Sequence, residues 1–168
     1  MQLTPLFVAF CLTHQINNMK YYFFILMLTG SLSITAHAQQ QKADAIAGKW
    51  MSTENNLEVE VFKQNSEYKA RLLWFDDSDD KTKPTATRLD EKNHDKTLRT
   101  RRLIGIEVLH GLQYNKDDDE WQGGVIYDSS SGKEWDAKAW INAAGLLKVR
   151  GYWNFPIFGE TMSFKRIL

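Results

Sequence analysis

The feature that most constrains this chain is a period-two alternation, repeated in short runs and punctuated by turn residues. Successive side chains of a strand point to opposite faces, so such a run carries one apolar face and one polar face. Leu57, Val59 and Val61 alternate with Glu58 and Glu60, and Tyr68, Ala70, Leu72 and Trp74 alternate with Lys69 and Arg71. Ile104, Ile106 and Val108 alternate with Gly105 and Glu107. Trp135, Ala137, Ala139 and Ile141 alternate with Glu134, Asp136 and Lys138, and Val149, Gly151 and Trp153 with Lys148 and Arg150. Turn chemistry falls between the runs, at Asn65-Ser66, Asn115 to Asp119, Ser129 to Gly132, Asn142 to Gly145 and Pro156 to Gly159. With Gly48 to Thr53, Glu120 to Tyr127 and Thr161 to Ile167, the pattern predicts about eight antiparallel strands in hairpin order. No helical stretch of useful length interrupts them.

Eight meandering strands form either a sandwich or a closed barrel. The barrel is the expected architecture, because closure removes edge strands and leaves an interior just wide enough for side chains or one small ligand. Glycines within strands, at Gly105, Gly123, Gly124 and Gly151, suit the bulges and bends a small barrel needs, although they would also be compatible with weakened sandwich strands. One segment departs from the pattern. The stretch from Asp76 to Arg102 is dense in both charges and lacks aromatic residues. Connections of this length are uncommon and serve as lids or binding loops when they are not disordered. Read as a lid, it would place Arg99, Arg101 and Arg102 over one barrel mouth, available for an anion; read plainly, it is a solvated loop of balanced charge. Asp95 to Arg99 fits a single helical turn capped by Asn93 or Asp95.

The N-terminus reads as an address. Residues 1 to 38 contain no acid, and their one base is Lys20. Lys20, the apolar run from Tyr21 to Leu28, and the small-x-small site Ala36-His37-Ala38 have the layout of a cleaved signal peptide, with translation possible from Met19. The apolar run is shorter than a membrane-spanning helix requires. A single domain over 39–168 is therefore expected, exported to the periplasm or beyond. Cys11 is the chain's one cysteine. The mature protein would thus lack disulfides, and with no cysteine after the cleavage site it would lack a lipoprotein anchor. Twenty-one basic residues against 21 acidic ones remove the electrostatic case for a nucleic-acid partner.

Gly48-Lys49-Trp50 at the start of the first strand resembles the Gly-x-Trp of lipocalins. In that family the Trp plugs one barrel end under a basic residue from the last strand, a place Arg166 would fill here. The Thr-Asp-Tyr element of true lipocalins is missing. A longer likeness runs from Ala45 to Arg166. Leu103 to Glu107, Trp121 to Asp128, Ser131 to Lys133 and Leu147 to Tyr152 resemble, in order, the bacterial exported family called domain of unknown function 2147. Ser129 and Phe164 stand where that family often has Pro and Trp. The resemblance implies a small, exported, lipocalin-like eight-stranded antiparallel up-and-down barrel, and it implies no chemistry.

The residues name no reaction. Hydrolase, phosphate-loop, dinucleotide and zinc-protease fingerprints are all missing. No catalytic residue, metal ligand or cofactor is assigned. Asn115, Asp117 and Asp119 alternate like the start of a calcium loop, but Glu120 and Ile126 occupy the places where such a loop needs Gly and Glu. Asp76, Asp77, Asp79 and Asp80 could gather a cation or form an acidic turn. The informative pair is Glu107 and Arg150, each a charge within an otherwise apolar strand. If they meet, they meet across the interior, with Tyr127 and Tyr152 nearby; plain alternation instead turns both to solvent. Trp50 and the other tryptophans either line a cavity or make the core. The candidate ligand-binding set is therefore Trp50, Glu107, Tyr127, Arg150 and Tyr152. The expected function is non-covalent binding of a small, apolar or amphipathic molecule in the cell envelope. The alternatives are a filled barrel that displays a surface to an unidentified protein partner and, third, an enzyme of hydrolase type.

Overall fold

The computed structural model describes residues 40–168, and the barrel unit occupies Ala43–Leu168. The expected leader lies outside the described residues. Eight strands close on themselves in sequence order: β1 (Gly48–Ser52), β2 (Leu57–Gln64), β3 (Glu67–Phe75), β4 (Glu107–Asn115), β5 (Glu120–Asp128), β6 (Lys133–Ile141), β7 (Leu147–Tyr152) and β8 (Gly159–Ile167). Every neighbouring pair is antiparallel. The seam is β1 on β8, with Trp50 opposite Arg166 and Ser52 opposite Phe164. The expected closed up-and-down barrel is the fold of this chain.

One strand begins later than its alternation predicts. Ile104, Gly105 and Ile106 precede β4 and still pair locally with β3, since Gly105 N–H donates to the Leu72 carbonyl at 2.8 Å and Leu72 N–H to the Ile106 carbonyl at 3.0 Å. The strand proper runs on through His110-Gly111, where Gly111 has φ +76. The register against β3 slips there, Ala70 facing Leu109 and Tyr68 facing Leu112. A bulge inserts a residue and shifts the pleat, so the buried positions fall three apart rather than two and the alternation vanishes from the sequence.

The core is concentrated toward one end. Directly opposed residues on neighbouring strands share a face, so register identifies the inward set: Trp50 with Val59, Ala70 with Leu109, Gly124 with Ala137, Ala139 with Val149, Leu147 with Phe164. The most deeply buried of the large side chains, Ile46, Trp50, Tyr68, Leu112 and Leu147, gather where β1, β3 and β7 begin. A 3₁₀ turn at Asp44–Ile46 closes this end. Trp50 Nε1 donates to the Ile46 carbonyl at 2.8 Å and Trp121 Nε1 to the Ala43 carbonyl at 3.0 Å, so both indole N–H groups are satisfied inside the plug. Tyr68 donates to Asp44 at 2.5 Å, and burial plus that contact push its phenol well above the ordinary range. Arg166 lies over the Trp50 ring at 4.2 Å and donates to the Ala45 and Ala47 carbonyls. Arg166 thus fills the place that the lipocalin resemblance gave it.

Candidate ligand-binding site

The opposite end carries the β1–β2 turn, the long connection after β3, the β5–β6 turn and the β7–β8 connection. Here the inward face opens. Met162 is opposite Val149 and Glu160 opposite Gly151, both on the face that Phe164 and Leu147 share at the plugged end. Leu147 is 1% exposed, whereas Met162 is 45% exposed. Trp135, opposite Ile126, continues the inward line of Ala137 and Ala139 to the rim. Its ring meets that of Trp153 edge-on, with centroids 5.8 Å apart. An open cleft of about 650 Å³ is lined by Lys133, Glu134, Trp135 and Trp153. A contiguous one of about 270 Å³ continues over the outer wall, where it adds Val125, Asp136, Tyr152 and Asn154. Aromatic walls with a few polar groups at the edge are the usual make-up of a small-molecule site.

The five sequence candidates do not converge. Trp50 belongs to the plug. Glu107 is opposite Arg71 on the outer face and pairs with Lys69 at 3.3 Å. Arg150 is opposite Lys138 and Thr161 on the outer face, where its guanidinium donates to the Pro156 carbonyl at 2.5 Å, the Ile157 carbonyl at 3.2 Å and Thr161 Oγ1 at 2.8 Å. Glu107 and Arg150 therefore do not meet across the interior. Each has an outer-wall partner that spares it desolvation, and plain alternation was the better guide. Tyr152, opposite Asp136, also faces outward but reaches the edge of the smaller cleft.

Tyr127 faces outward too, opposite Glu134, yet is only 7% exposed. The segment from Asp76 to Arg102 covers it, so this connection is strapped down rather than free. Asp90, 0% exposed, accepts from Tyr127 Oη at 2.5 Å, Asn93 Nδ2 at 2.8 Å and Arg101 Nε at 2.9 Å. Burial resists the Asp90 charge, but the hydrogen bonds from Tyr127, Asn93 and Arg101 prevail and hold the carboxyl below its ordinary 3.8. Burial, then the Asp90 contact, push Tyr127 up to about 12. Arg99 and Arg101, which the lid reading alone made available for an anion, are turned onto the strap itself, Arg99 Nε donating to the Asn93 carbonyl at 2.6 Å and Arg101 Nε to Asp90. The acidic turn is likewise spoken for. Asp77 accepts from Thr85 and Asp80 from Thr82, while Asp79 is held by both terminal nitrogens of Arg88 at 2.6 and 3.0 Å. Asp95 caps the short turn at Lys96–Leu98, one of the two caps expected.

Sequence reasoning missed Asp90, and saw in Asn93 only a candidate cap, because nothing in a charged loop marks which carboxylate will be buried. It also missed Met162 and Glu160. Their signal was faint: Gly151, the small residue opposite, leaves that stretch of wall unfilled.

With this geometry in view, the comparisons with known proteins can be placed. The family described as "Uncharacterized protein conserved in bacteria (DUF2147)" matches residues 48–166. The chain belongs to the DUF2147 family. The matched span runs from the start of β1 to the end of β8, so the DUF2147 assignment covers the whole barrel. Among solved structures, the chain is similar to "Protein HP1028 from the human pathogen Helicobacter pylori belongs to the lipocalin family". Identity is 22%, with 73% of this chain and 83% of that chain covered, at a TM-score of 0.62. That likeness shows a shared fold. Curated proteins give no match. Among the described residues no helix is long and apolar enough to cross a membrane.

Proposed function

We propose that this DUF2147 protein binds a small, partly apolar molecule non-covalently at the unplugged end of its barrel, and that it does so as an exported protein of the cell envelope. One observation carries the reading: inward-facing Met162 is 45% exposed while inward-facing Leu147, at the other end of the same wall, is 1% exposed. Nearer the rim than Met162, Glu160 lies on the same inner wall opposite Gly151, and the adjoining cleft offers Trp135 and Trp153 as apolar walls with Lys133 and Glu134 as polar groups for the ligand's head. The leader-like sequence of residues 1 to 38 supports export.

Titration with a long-chain fatty acid, followed by tryptophan fluorescence, tests the binding. A saturable change is expected. Gly151→Leu should weaken it at least tenfold, about 1.4 kcal/mol, while the far-ultraviolet spectrum stays the same. A Cβ at Gly151 meets only ordinary contacts, Ile126 at 3.5 Å and Trp135 at 3.9 Å, so a larger side chain there fills the mouth rather than breaking the wall. A flat titration of the native protein would leave the filled, surface-displaying barrel as the better account. Mass-spectrometric sequencing of the N-terminal peptide of protein recovered from the envelope tests export, with Gln39 or Gln40 as the expected first residue.

A further inference from the structure

The β7–β8 connection presents Trp153, Phe155 and Ile157 at 59%, 64% and 77% exposure. Apart from the edge-on contact of Trp153 with Trp135, these three side chains are left largely uncovered within five residues of one another. From Trp153 to Gly159 the chain carries no charged side chain, in a protein where a quarter of the residues are charged. The tip is also built to stay out. Arg150 holds the Pro156 and Ile157 carbonyls from below, Phe155 N–H donates to the Trp153 carbonyl at 2.6 Å, and Trp153 rests edge-on against Trp135. Two side chains of opposite charge, Lys133 and Glu134, line the cleft together with Trp153.

We infer that this tip docks the open mouth on a phospholipid surface. A protruding turn, free of charge and ending in Trp, Phe and Ile, is suited to the boundary between headgroups and acyl chains, where aromatic side chains concentrate and a charge would be costly. Lys133 and Glu134 in the cleft complement the phosphate and the ammonium of a zwitterionic headgroup. Arg150 does not face the lipid. It satisfies the two backbone carbonyls that would otherwise enter an apolar layer unpaired. The inference shares Lys133, Glu134 and Trp153 with the ligand reading but turns on Phe155 and Ile157, which do not line the cleft.

The test is flotation with vesicles of phosphatidylethanolamine and phosphatidylcholine, using protein as processed by its host, alongside the double variant Phe155→Ser/Ile157→Ser in the same processing state. Native protein is expected to float with the vesicles, and the double variant to partition at least tenfold less. Acyl-brominated lipid should quench native fluorescence, and Trp153→Phe should remove most of that quenching. Equal partition of the two proteins, or no flotation of the native one, would overturn the inference. So would concentration-dependent dimerisation in sedimentation velocity that the double variant abolishes, since the tip would then be covering a second copy. The double variant should keep fatty-acid binding in solution, which separates failure of docking from failure of the ligand reading.

Discussion

Asp90 shows how one residue converts a charged loop into structure. A carboxylate with 0% exposure would be untenable alone, and three donors make it tenable. Asp90→Asn keeps the shape but removes the charge and turns one acceptor into a donor facing other donors. Arg101 is 37% exposed and can be rehydrated, so the loss should be about 2 kcal/mol rather than the larger figure for a fully buried pair. Equilibrium urea unfolding at neutral pH checks it. The pH dependence has a definite sign. The carboxyl of Asp90 is held below 3.8 in the folded state. Its contribution is therefore present above the unfolded value and lost as pH falls through the folded one. The stability gap between native protein and Asp90→Asn should hold near neutrality and shrink in acid below 3.8. A gap independent of pH across that range would mean that Asp90 acts by shape alone.

Strands are where the sequence was clearest and where its lapses have a single cause. β2 and β6 were legible as written, whereas β3 slips against β2 between the pairs Val59 with Leu72 and Glu58 with Trp74, so Trp74, read on one face with Tyr68, Ala70 and Leu72, turns outward and is 37% exposed. β4 and β5 each carry a bulge at a glycine with positive φ, Gly111 at +76 and Gly123 at +73, and the inward positions after it change phase. The next residue shows what that bend accomplishes. A Cβ at Gly124 would lie 2.7 Å from Leu112 Cγ and Cδ2, inside the plugged core, and 3.2 Å from the His110 carbonyl. Two strands meet here with no room for a methyl group. Gly124→Ala should therefore cost about 1–3 kcal/mol through overpacking, read as a lower thermal midpoint with an unchanged far-ultraviolet spectrum. Gly151, in β7 and without such neighbours, should accept alanine within about 0.5 kcal/mol.

For the whole molecule, the governing fact is that the two barrel ends differ. One end is stoppered by Ile46, Trp50, Trp121 and the Arg166 guanidinium; the other exposes inward Met162 and raises an apolar tip. Amide exchange should accordingly be slowest at Leu112, Trp121 and Leu147 and fastest along Trp153–Gly159, because opening follows local packing. Uniform protection around both ends would contradict the asymmetry on which the binding site rests. The sequence by itself determined the strand count and the hairpin order, because alternation and turn residues are local properties of the chain. Closure of the barrel and Arg166 over Trp50 were expectations, the second from the lipocalin resemblance, that the β1–β8 seam then met. Tertiary structure alone decided that Glu107 and Arg150 face outward apart from one another, that Asp90 disappears beneath the strap on Tyr127, and that the inner wall stays uncovered at Met162. Those outcomes depend on register, bulges and which long loop folds over which wall, and these are fixed only when distant strands meet.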